Sequence, residues 1–145
     1  MQSRDWLLLV THVGYPNALQ PVHLQKALFL LDRKLNATQK GAENIYSFKP
    51  YDYGPFDAAV YIDAENLERE GLIQIQRQPG QTYRRYAITP EGQLAGNRLG
   101  AQLPSGVLDY TRALVEWVQR LPFNDLVSAV YKEYPEMKAN SVFRG

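Results

Sequence analysis

The amino-acid sequence predicts a single α+β domain. Its 145 residues suffice for a hydrophobic core, and its 45% hydrophobic and 21% charged content is ordinary for a globular protein. Segments with the apolar spacing of helices alternate with short stretches typical of strands. A polar turn signal, Gln78-Pro79-Gly80-Gln81, separates two of these strands. We therefore predict one domain over residues 1–145, with a core in 1–92 and a helical extension in 93–145.

The first two predicted helices lie in the N-terminal 35 residues. Ser3 is suited to capping a helix that runs to about residue 13, and Gly14 and Pro16 would end it. Pro21 suits the first turn of a second helix. That helix has apolar residues at i, i+3, i+4 and i+7, which indicate a buried face: Leu24, Ala27, Leu28 and Leu31.

A strand and a third helix are predicted next. Residues 36–45 are polar and predict a loop, and residues 46–48 predict a short strand ended by Pro50. Gly54 and Pro55 favour a turn into a helix over residues 55–70. The core stripe of that helix is predicted at Phe56, Val60, Ala64 and Leu67.

A hairpin follows the third helix. Gly71 is predicted to lie just past the helix end, where a left-handed conformation is common. Strands are predicted at residues 72–77 and 82–88, joined by the polar turn. Thr89 is suited to capping a fourth helix that has Pro90 in its first turn and ends near residue 99.

Two further helices complete the prediction. A linker over residues 100–106 leads to a fifth helix opened by Ser105, and Pro122 would end that helix. Asn124 or Asp125 would cap a sixth helix that ends near residue 134. The order helix, helix, strand, helix, strand, strand is that of a winged helix-turn-helix domain, here with a two-stranded wing and additional C-terminal helices.

The third helix carries an unusual charge for the helix that reads DNA in winged-helix domains. Five carboxylates against Arg69 give residues 57–70 a net charge of −4. Three interpretations stay open: a solvated face, a surface that mimics DNA or meets a basic protein partner, and direct reading of cytosine amino groups. The candidate partner-binding residues on this helix and the preceding turn are Tyr51, Tyr53, Asp57, Tyr61, Glu65 and Glu68.

The predicted wing is basic and supports an alternative function. Its arginines could follow a phosphate backbone, as in a DNA-binding transcription regulator. A structural interpretation is equally simple, since alternation along a strand would turn neighbouring arginines to opposite faces. The candidate nucleic-acid-binding residues are Arg77, Tyr83, Arg84 and Arg85.

Composition argues against several other classes. The net charge of +1 gives no general attraction to nucleic acid or to anionic membranes, and the absence of cysteine excludes thiol chemistry and disulfides. His12 and His23 have no second ligand at metal spacing. No nucleophile motif, phosphate loop or apolar stretch of membrane-spanning length is evident. We therefore expect a cytoplasmic non-enzyme without metal or cofactor and without membrane association.

The fifth helix suggests a possible second interface. Its apolar arc is wider than one core face requires, and it includes Tyr110 and Trp117. Burial between the core and the sixth helix would explain the arc. A homodimer formed through residues 105–121 would explain it as well.

Several motifs together resemble a known family. They are LQKALFLL over residues 24–31, FKPYDYGPF over 48–56, Leu67, GLI over 71–73, YAITPEG over 86–92 and VYKEYP over 130–135. Over roughly residues 20–135 the chain resembles the small bacterial YwgA-like proteins and the SocA-like (Panacea) antitoxin domains. It is also similar to the C-terminal domain of the DarG antitoxin.

The resemblance implies a non-enzymatic regulator that acts by direct contact with a protein. Several such relatives neutralise a toxin, and the DarG-type domain is expected to occupy the DNA-binding surface of its toxin. The macrodomain that gives DarG its hydrolase activity lies outside the resemblance, so no such activity is implied. The expected partner is a toxin or another effector directed at nucleic acid.

Overall fold

The computed structural model describes residues 1–81 and 83–143. Within them lie seven α-helices, two antiparallel two-stranded sheets and one 3-10 helix, so the architecture is α+β. The helices are α1 (Ser3–Gly14), α2 (Pro21–Lys34), α3 (Ala37–Lys40), α4 (Ala59–Arg69), α5 (Pro90–Gln102), α6 (Val107–Arg120) and α7 (Phe123–Glu133), and the 3-10 helix is Pro135–Lys138. The strands are β1 (Lys49–Tyr51), β2 (Gly54–Phe56), β3 (Ile73–Gln76) and β4 (Arg85–Ile88).

Helix α1 lies at the centre of the molecule. It contacts α2, α4, α5, α6 and β4. Its side chains from Trp6 to Val10 are all buried, because neighbours cover the helix on every side. The indole N–H of Trp6 donates to the carbonyl of Lys40 at 3.0 Å. One hydrophobic cluster joins residues 1–92 to the C-terminal helices.

The junction of α4 with the hairpin is as predicted. Gly71 has φ +77°, and the N–H of Leu72 donates to the carbonyl of Leu67 at 3.0 Å while that of Gly71 donates to Glu68 at 3.0 Å. This paired pattern closes a helix end on a left-handed residue. Strands β3 and β4 then pair from Ile73↔Ile88 to Gln76↔Arg85, and the predicted turn over residues 78–81 is present. Thr82, at the start of the predicted second strand, lies outside the described residues.

The segment before α4 differs from the prediction. Residues 46–48 are not a strand; the strand begins at Lys49 and pairs with β2, whose three residues include Pro55. The helix predicted over 55–70 therefore begins only at Ala59. Asp57 forms a turn just before the helix, in which one carboxylate oxygen accepts from the N–H of Ala59 at 2.9 Å. The other accepts from the N–H of Ser47 at 2.8 Å, so that N–H needs no strand partner.

The polar segment 36–45 contains the short helix α3 instead of being entirely loop. A buried ion pair holds it to α2: the ammonium of Lys40 lies 3.2 Å from the carboxylate of Asp32. That carboxylate also accepts from the N–H of Ile45 at 2.7 Å. Hydrogen bonds within the fold compensate the two buried charges, and these bonds are not evident from the polar sequence.

Helix α5 packs closely through glycine. Gly92, Gly96 and Gly100 recur every four residues and are buried on one face. A Cβ at Gly92 would lie 1.9 Å from the carbonyl oxygen of Leu72, and one at Gly96 would lie 2.4 Å from the ring of His12. The predicted cap is confirmed, since the Thr89 hydroxyl accepts from the N–H of Gly92 at 3.0 Å. The glycine stripe was missed in the sequence.

Besides the start of α4, three further predicted helix starts are wrong, those of α1, α6 and α7. Ser3 is the first residue of α1, and Gln2 precedes it with its N–H donating to Asp5 at 2.8 Å. Gly106, with φ +82°, precedes α6 in place of Ser105, because only glycine enters that backbone region without strain.

Asn124 and Asp125 lie inside the first turn of α7 and do not cap it. Pro122 occupies the cap position, so the helix begins two to three residues earlier than predicted. The N–H of Leu126 then closes the first turn on the carbonyl of Pro122 at 3.0 Å. No helix in the described part of the chain is both long and apolar enough to cross a bilayer.

Candidate binding surface

The outer face of α4 is joined to the hairpin by ion pairs. The guanidinium of Arg77 donates two hydrogen bonds to the carboxylate of Glu68, at 3.1 and 3.2 Å. The N–H of Ile75 donates to the same carboxylate at 3.0 Å. The hydrogen bond from Arg77, with that from Ile75, holds the pKa of Glu68 below its ordinary value. Glu68 is therefore committed to holding the hairpin against the helix.

Two more acidic residues of this region have arginine partners. Glu65 lies 3.6 Å from Arg84 of the hairpin, and both side chains are about half exposed. Glu70 lies 2.6 Å from Arg4 of α1. These arginines belong to the hairpin and to α1. The net charge of residues 57–70 therefore does not count them. The face that carries −4 in the sequence is therefore a mixed-charge surface in the fold.

The remaining carboxylates of the segment serve the local structure. The side chain of Asp57 forms the turn before α4, and its backbone exchanges hydrogen bonds with the side-chain amide of Gln25 at 3.0 and 3.1 Å. Asp63 accepts from the hydroxyl of Tyr46 at 2.6 Å. Burial, followed by this hydrogen bond, raises the pKa of Tyr46. Asp57, predicted as a contact residue, is thus placed where it organises the turn.

A groove of about 640 Å³ opens between α4, the start of α2 and the hairpin. We call it the hairpin groove. Tyr61 and Tyr86 form part of its wall, with ring centroids 6.1 Å apart and planes 15° apart. Burial raises the pKa of Tyr61 to about 12. The principal lining residues are Pro21, Tyr61, Arg77, Tyr83, Arg84 and Tyr86.

The four predicted wing residues are not equivalent. Arg77, Tyr83 and Arg84 line the hairpin groove. Arg85 is half-buried, and its guanidinium carbon lies 5.9 Å from the centre of the Tyr83 ring. Strand β4 begins at Arg85 instead of at the predicted residue 82, so Tyr83 and Arg84 precede it. Arg84 lines the groove and Arg85 does not.

The predicted partner residues fall into two groups. Glu65 and Glu68 lie beside the hairpin groove, whereas Tyr51 and Tyr53 line a separate cavity of about 290 Å³. We call this second space the aromatic cavity. Tyr61 lines both spaces and so connects the two groups. The walls of the aromatic cavity also include Lys26, Phe56 and Phe123.

Several of these lining residues were missed in the sequence. Tyr86 and Pro21 line the hairpin groove, and Lys26 and Phe123 line the aromatic cavity. Tyr86 shares the strand period of Arg84, which could have assigned it to the same face. The sequence did not indicate that Lys26 lines a cavity, since a lysine within an apolar helical run usually lies on the exposed side of the helix.

Helix α6 packs one face against the rest of the chain. Val107, Leu114 and Val118 lie on this buried face. Tyr110 and Trp117 remain about two-fifths exposed, at 40% and 38%. A homodimer through residues 105–121 would therefore rest mainly on these two aromatic side chains.

The two histidines lie within helix packing. Burial lowers the pKa of both His12 and His23. His12 packs against Gly96 of α5, and His23 has a hydrogen bond with the backbone of Leu121. Among the residues described, no group of three or more histidine and carboxylate side chains is placed to hold a metal ion.

Comparison with protein-family models and curated proteins assigns no family to this chain. The chain matches no protein-family model, and no curated protein matches it. Its function is therefore inferred from the side chains of the two spaces described above, from the arrangement of the helices and strands around them, and from the sequence motifs.

Proposed function

We propose that this protein is a non-enzymatic, antitoxin-like regulatory module of winged-helix type that binds a protein partner at α4 and the hairpin groove. The observation that carries the proposal is the pairing of the acidic helix with the basic hairpin. Glu65 and Glu68 face Arg84 and Arg77 across one surface, and Tyr61 and Tyr83 lie beside them.

The order of elements supports the winged-helix assignment. Helices α1, α2 and α4 are followed by the hairpin β3–β4, as in winged-helix domains. Leu19, between α1 and α2, exchanges backbone hydrogen bonds with Tyr86 of β4 at 2.8 and 2.9 Å. This bridge adds a third extended segment beside the hairpin. In this arrangement α4 holds the position from which such domains read DNA.

The chemistry of the surface favours protein over DNA. Phosphates attract unpaired cations, whereas Arg77 and Arg84 each have a carboxylate partner here. A mixed-charge surface with tyrosines is suited to a protein, because charge complementarity sets orientation and aromatic side chains supply contact area. This pairing argues against mimicry of DNA by Glu65 and Glu68, since arginines compensate both negative charges.

A toxin or another effector directed at nucleic acid is the partner that the motif resemblance favours. Such effectors carry basic surfaces with which phosphates pair. On this chain the exposed half of Glu65 and the half-exposed arginines offer both signs of charge to a partner. Binding here would occupy the effector surface sterically and would require no catalytic group.

The proposal is tested by capture of partners from a lysate of the native host, with and without nuclease. The variant Glu65→Arg with Tyr83→Ala alters the hairpin groove without removing a helix cap. The matched control Glu43→Arg with Tyr15→Ala makes the same changes at two exposed residues outside the groove and outside residues 105–121. We expect a nuclease-resistant protein to be retained by the parent and the control and lost by the groove variant. Equal retention by all three would contradict the proposal.

A DNA-binding regulator is the second candidate function. It is favoured by one observation: the side chains of Arg77 and Arg84 are 47% and 49% exposed and could exchange their carboxylates for phosphates. Duplex affinity should then fall steeply with salt, and Arg84→Ala should lower both the affinity and the salt slope. Weak duplex binding at low salt would exclude this candidate.

A further inference from the structure

Lys26 is a buried cation that has no carboxylate partner among the described residues. It lies on α2, and only 5% of its surface is exposed. Within the described chain its ammonium has one long hydrogen bond, 3.5 Å to the carbonyl of Pro55, although it can donate three. Burial lowers its pKa to about 8, with no opposing contribution from an acid group. An unpaired buried charge is costly, so its presence calls for a reason.

The ammonium lies beside an open space. Lys26 lines the aromatic cavity, where Gly54 leaves room next to it. The position that a Cβ of Gly54 would occupy lies 3.4 Å from Cε and 3.6 Å from Nζ of Lys26. Gly54 also has φ +110°, which other residues rarely adopt. A ligand atom entering at this point would meet the charged end of the side chain.

The walls of the cavity are mainly aromatic, and the exposed residue Asp52 lies among them at the β1–β2 turn. Tyr51 stacks on Phe56 with ring centroids 4.9 Å apart, and Tyr53 meets Phe123 edge to face at 5.2 Å. Tyr51, Tyr53 and Phe123 are 53%, 46% and 39% exposed, so apolar area at the mouth is open to a ligand. The volume of about 290 Å³ is at the lower end of ligand sites and suits one or two rings.

We propose that the aromatic cavity is a binding site for a small aromatic monocarboxylate, whose carboxylate pairs with Lys26 and whose ring packs between the aromatic walls. The single ammonium balances one negative charge, whereas a phosphate dianion would leave charge uncompensated in an apolar space. A cationic group placed against Lys26 would be repelled by the ammonium. The site does not depend on the protein partner proposed above, because it stands on Lys26 and the cavity alone.

The test compares 1-naphthoate with its uncharged analogue 1-naphthamide by calorimetric titration. The parent protein should bind naphthoate at least about tenfold more tightly than naphthamide. Lys26→Met, which keeps the length of the side chain, should remove this preference. Lys132→Met alters an exposed lysine of α7 and should retain it.

A second measurement reports directly on the position of the ligand. Reductive ¹³C-methylation labels the lysines, and the signal lost in Lys26→Met identifies that residue. Naphthoate should shift this signal, and Phe123→Ala should weaken naphthoate and naphthamide alike. Equal affinity of the two compounds for the parent, binding of neither at millimolar concentration, or an unmoved Lys26 signal would each overturn the proposal.

Discussion

At the scale of single residues, acidic side chains have different roles along α4 and in the turn before it. Glu68 joins the hairpin to the helix, Asp57 forms the turn and Glu65 remains half exposed. These roles follow from which backbone N–H groups and arginines lie within reach. Of the three, only Glu65 can be altered without removing a hydrogen bond to the backbone.

Asp57→Ala should lower the free energy of unfolding by about 1–2 kcal/mol, because the N–H groups of Ala59 and Ser47 lose their acceptor. Urea denaturation measures this change. Glu65→Ala on the same helix is the matched control and should cost less than about 1 kcal/mol. Equal costs for the two variants would mean that the carboxylate of Asp57 does not organise the turn.

Lys26→Met should stabilise the protein by roughly 3 kcal/mol at pH 7. The pKa of Lys26 is about 8 when folded and 10.5 ordinarily, so the folded state carries the full penalty below pH 8. As pH rises from 8 to 10.5, the folded state loses its proton before the unfolded state, and the penalty disappears. The advantage of the variant should therefore shrink with rising pH.

Urea denaturation of the parent and Lys26→Met at pH 7 and pH 9.5 measures this difference. Taking the difference removes the contributions of Tyr46 and Tyr61, which both proteins share. Lys132→Met is the control and should remain within about 0.5 kcal/mol of the parent at both pH values. A difference between parent and Lys26→Met that is the same at pH 7 and pH 9.5 would show that burial does not perturb Lys26.

At the scale of elements, the approach of α5 to its neighbours depends on small residues. Gly92 faces the carbonyl of Leu72, which lies just before β3, and Gly96 faces His12 of α1. At Gly92 the close neighbour is a backbone carbonyl, so rotation of a side chain cannot make room for an added methyl group. Gly100 differs, because its nearest neighbour is the flexible end of Leu108 at 3.1 Å.

Gly92→Ala should destabilise the protein by at least about 2 kcal/mol, because the added methyl group overlaps backbone. Gly96→Ala should also destabilise it, and Gly100→Ala should be the mildest, since alanine favours a helix by about 1 kcal/mol over glycine. Thermal unfolding measures all three. A Gly92→Ala protein as stable as Gly100→Ala would contradict this packing of α5.

At the scale of the whole molecule, the C-terminal helices are part of one core with α1 and α2. His12 meets α5, and His23 meets the end of α6 through Leu121. Both histidines have pKa values below the ordinary 6.5, so they are held neutral in these contacts. Charging either side chain would place a cation inside the packing that joins the two parts of the chain.

Stability should therefore fall as pH drops from 7 to 5. The unfolded state takes up protons at pH 6.5 before the folded state does, which favours unfolding. Glu68 and Glu70, whose pKa values are also lowered, act only below about pH 4.5 and lie outside this window. The midpoint of thermal unfolding at pH 7 and pH 5 should differ less in His12→Gln with His23→Gln. An equal shift in that variant would exclude the histidines as the cause.

The sequence by itself determined the α+β class, most of the helices, the hairpin with its turn, and the end of α4 at Gly71. These features depend on contacts between residues close in the chain, such as helix caps, turns and apolar spacing. It also indicated Glu65, Arg84 and the tyrosines as surface residues worth testing. The net charge of residues 57–70 did not describe the surface of α4, because it leaves out the arginines that other segments bring to that surface.

Tertiary structure alone decided which charges meet and which spaces remain open. The partners of Glu68 and Glu70 lie 9 and 66 residues away in the chain, and the hairpin and α1 bring them there. The aromatic cavity likewise combines α2, the β1–β2 turn and the start of α7 around Lys26. Such neighbours are set by packing of the whole core, which acts through burial of apolar surface and carries no short-range signal in the sequence.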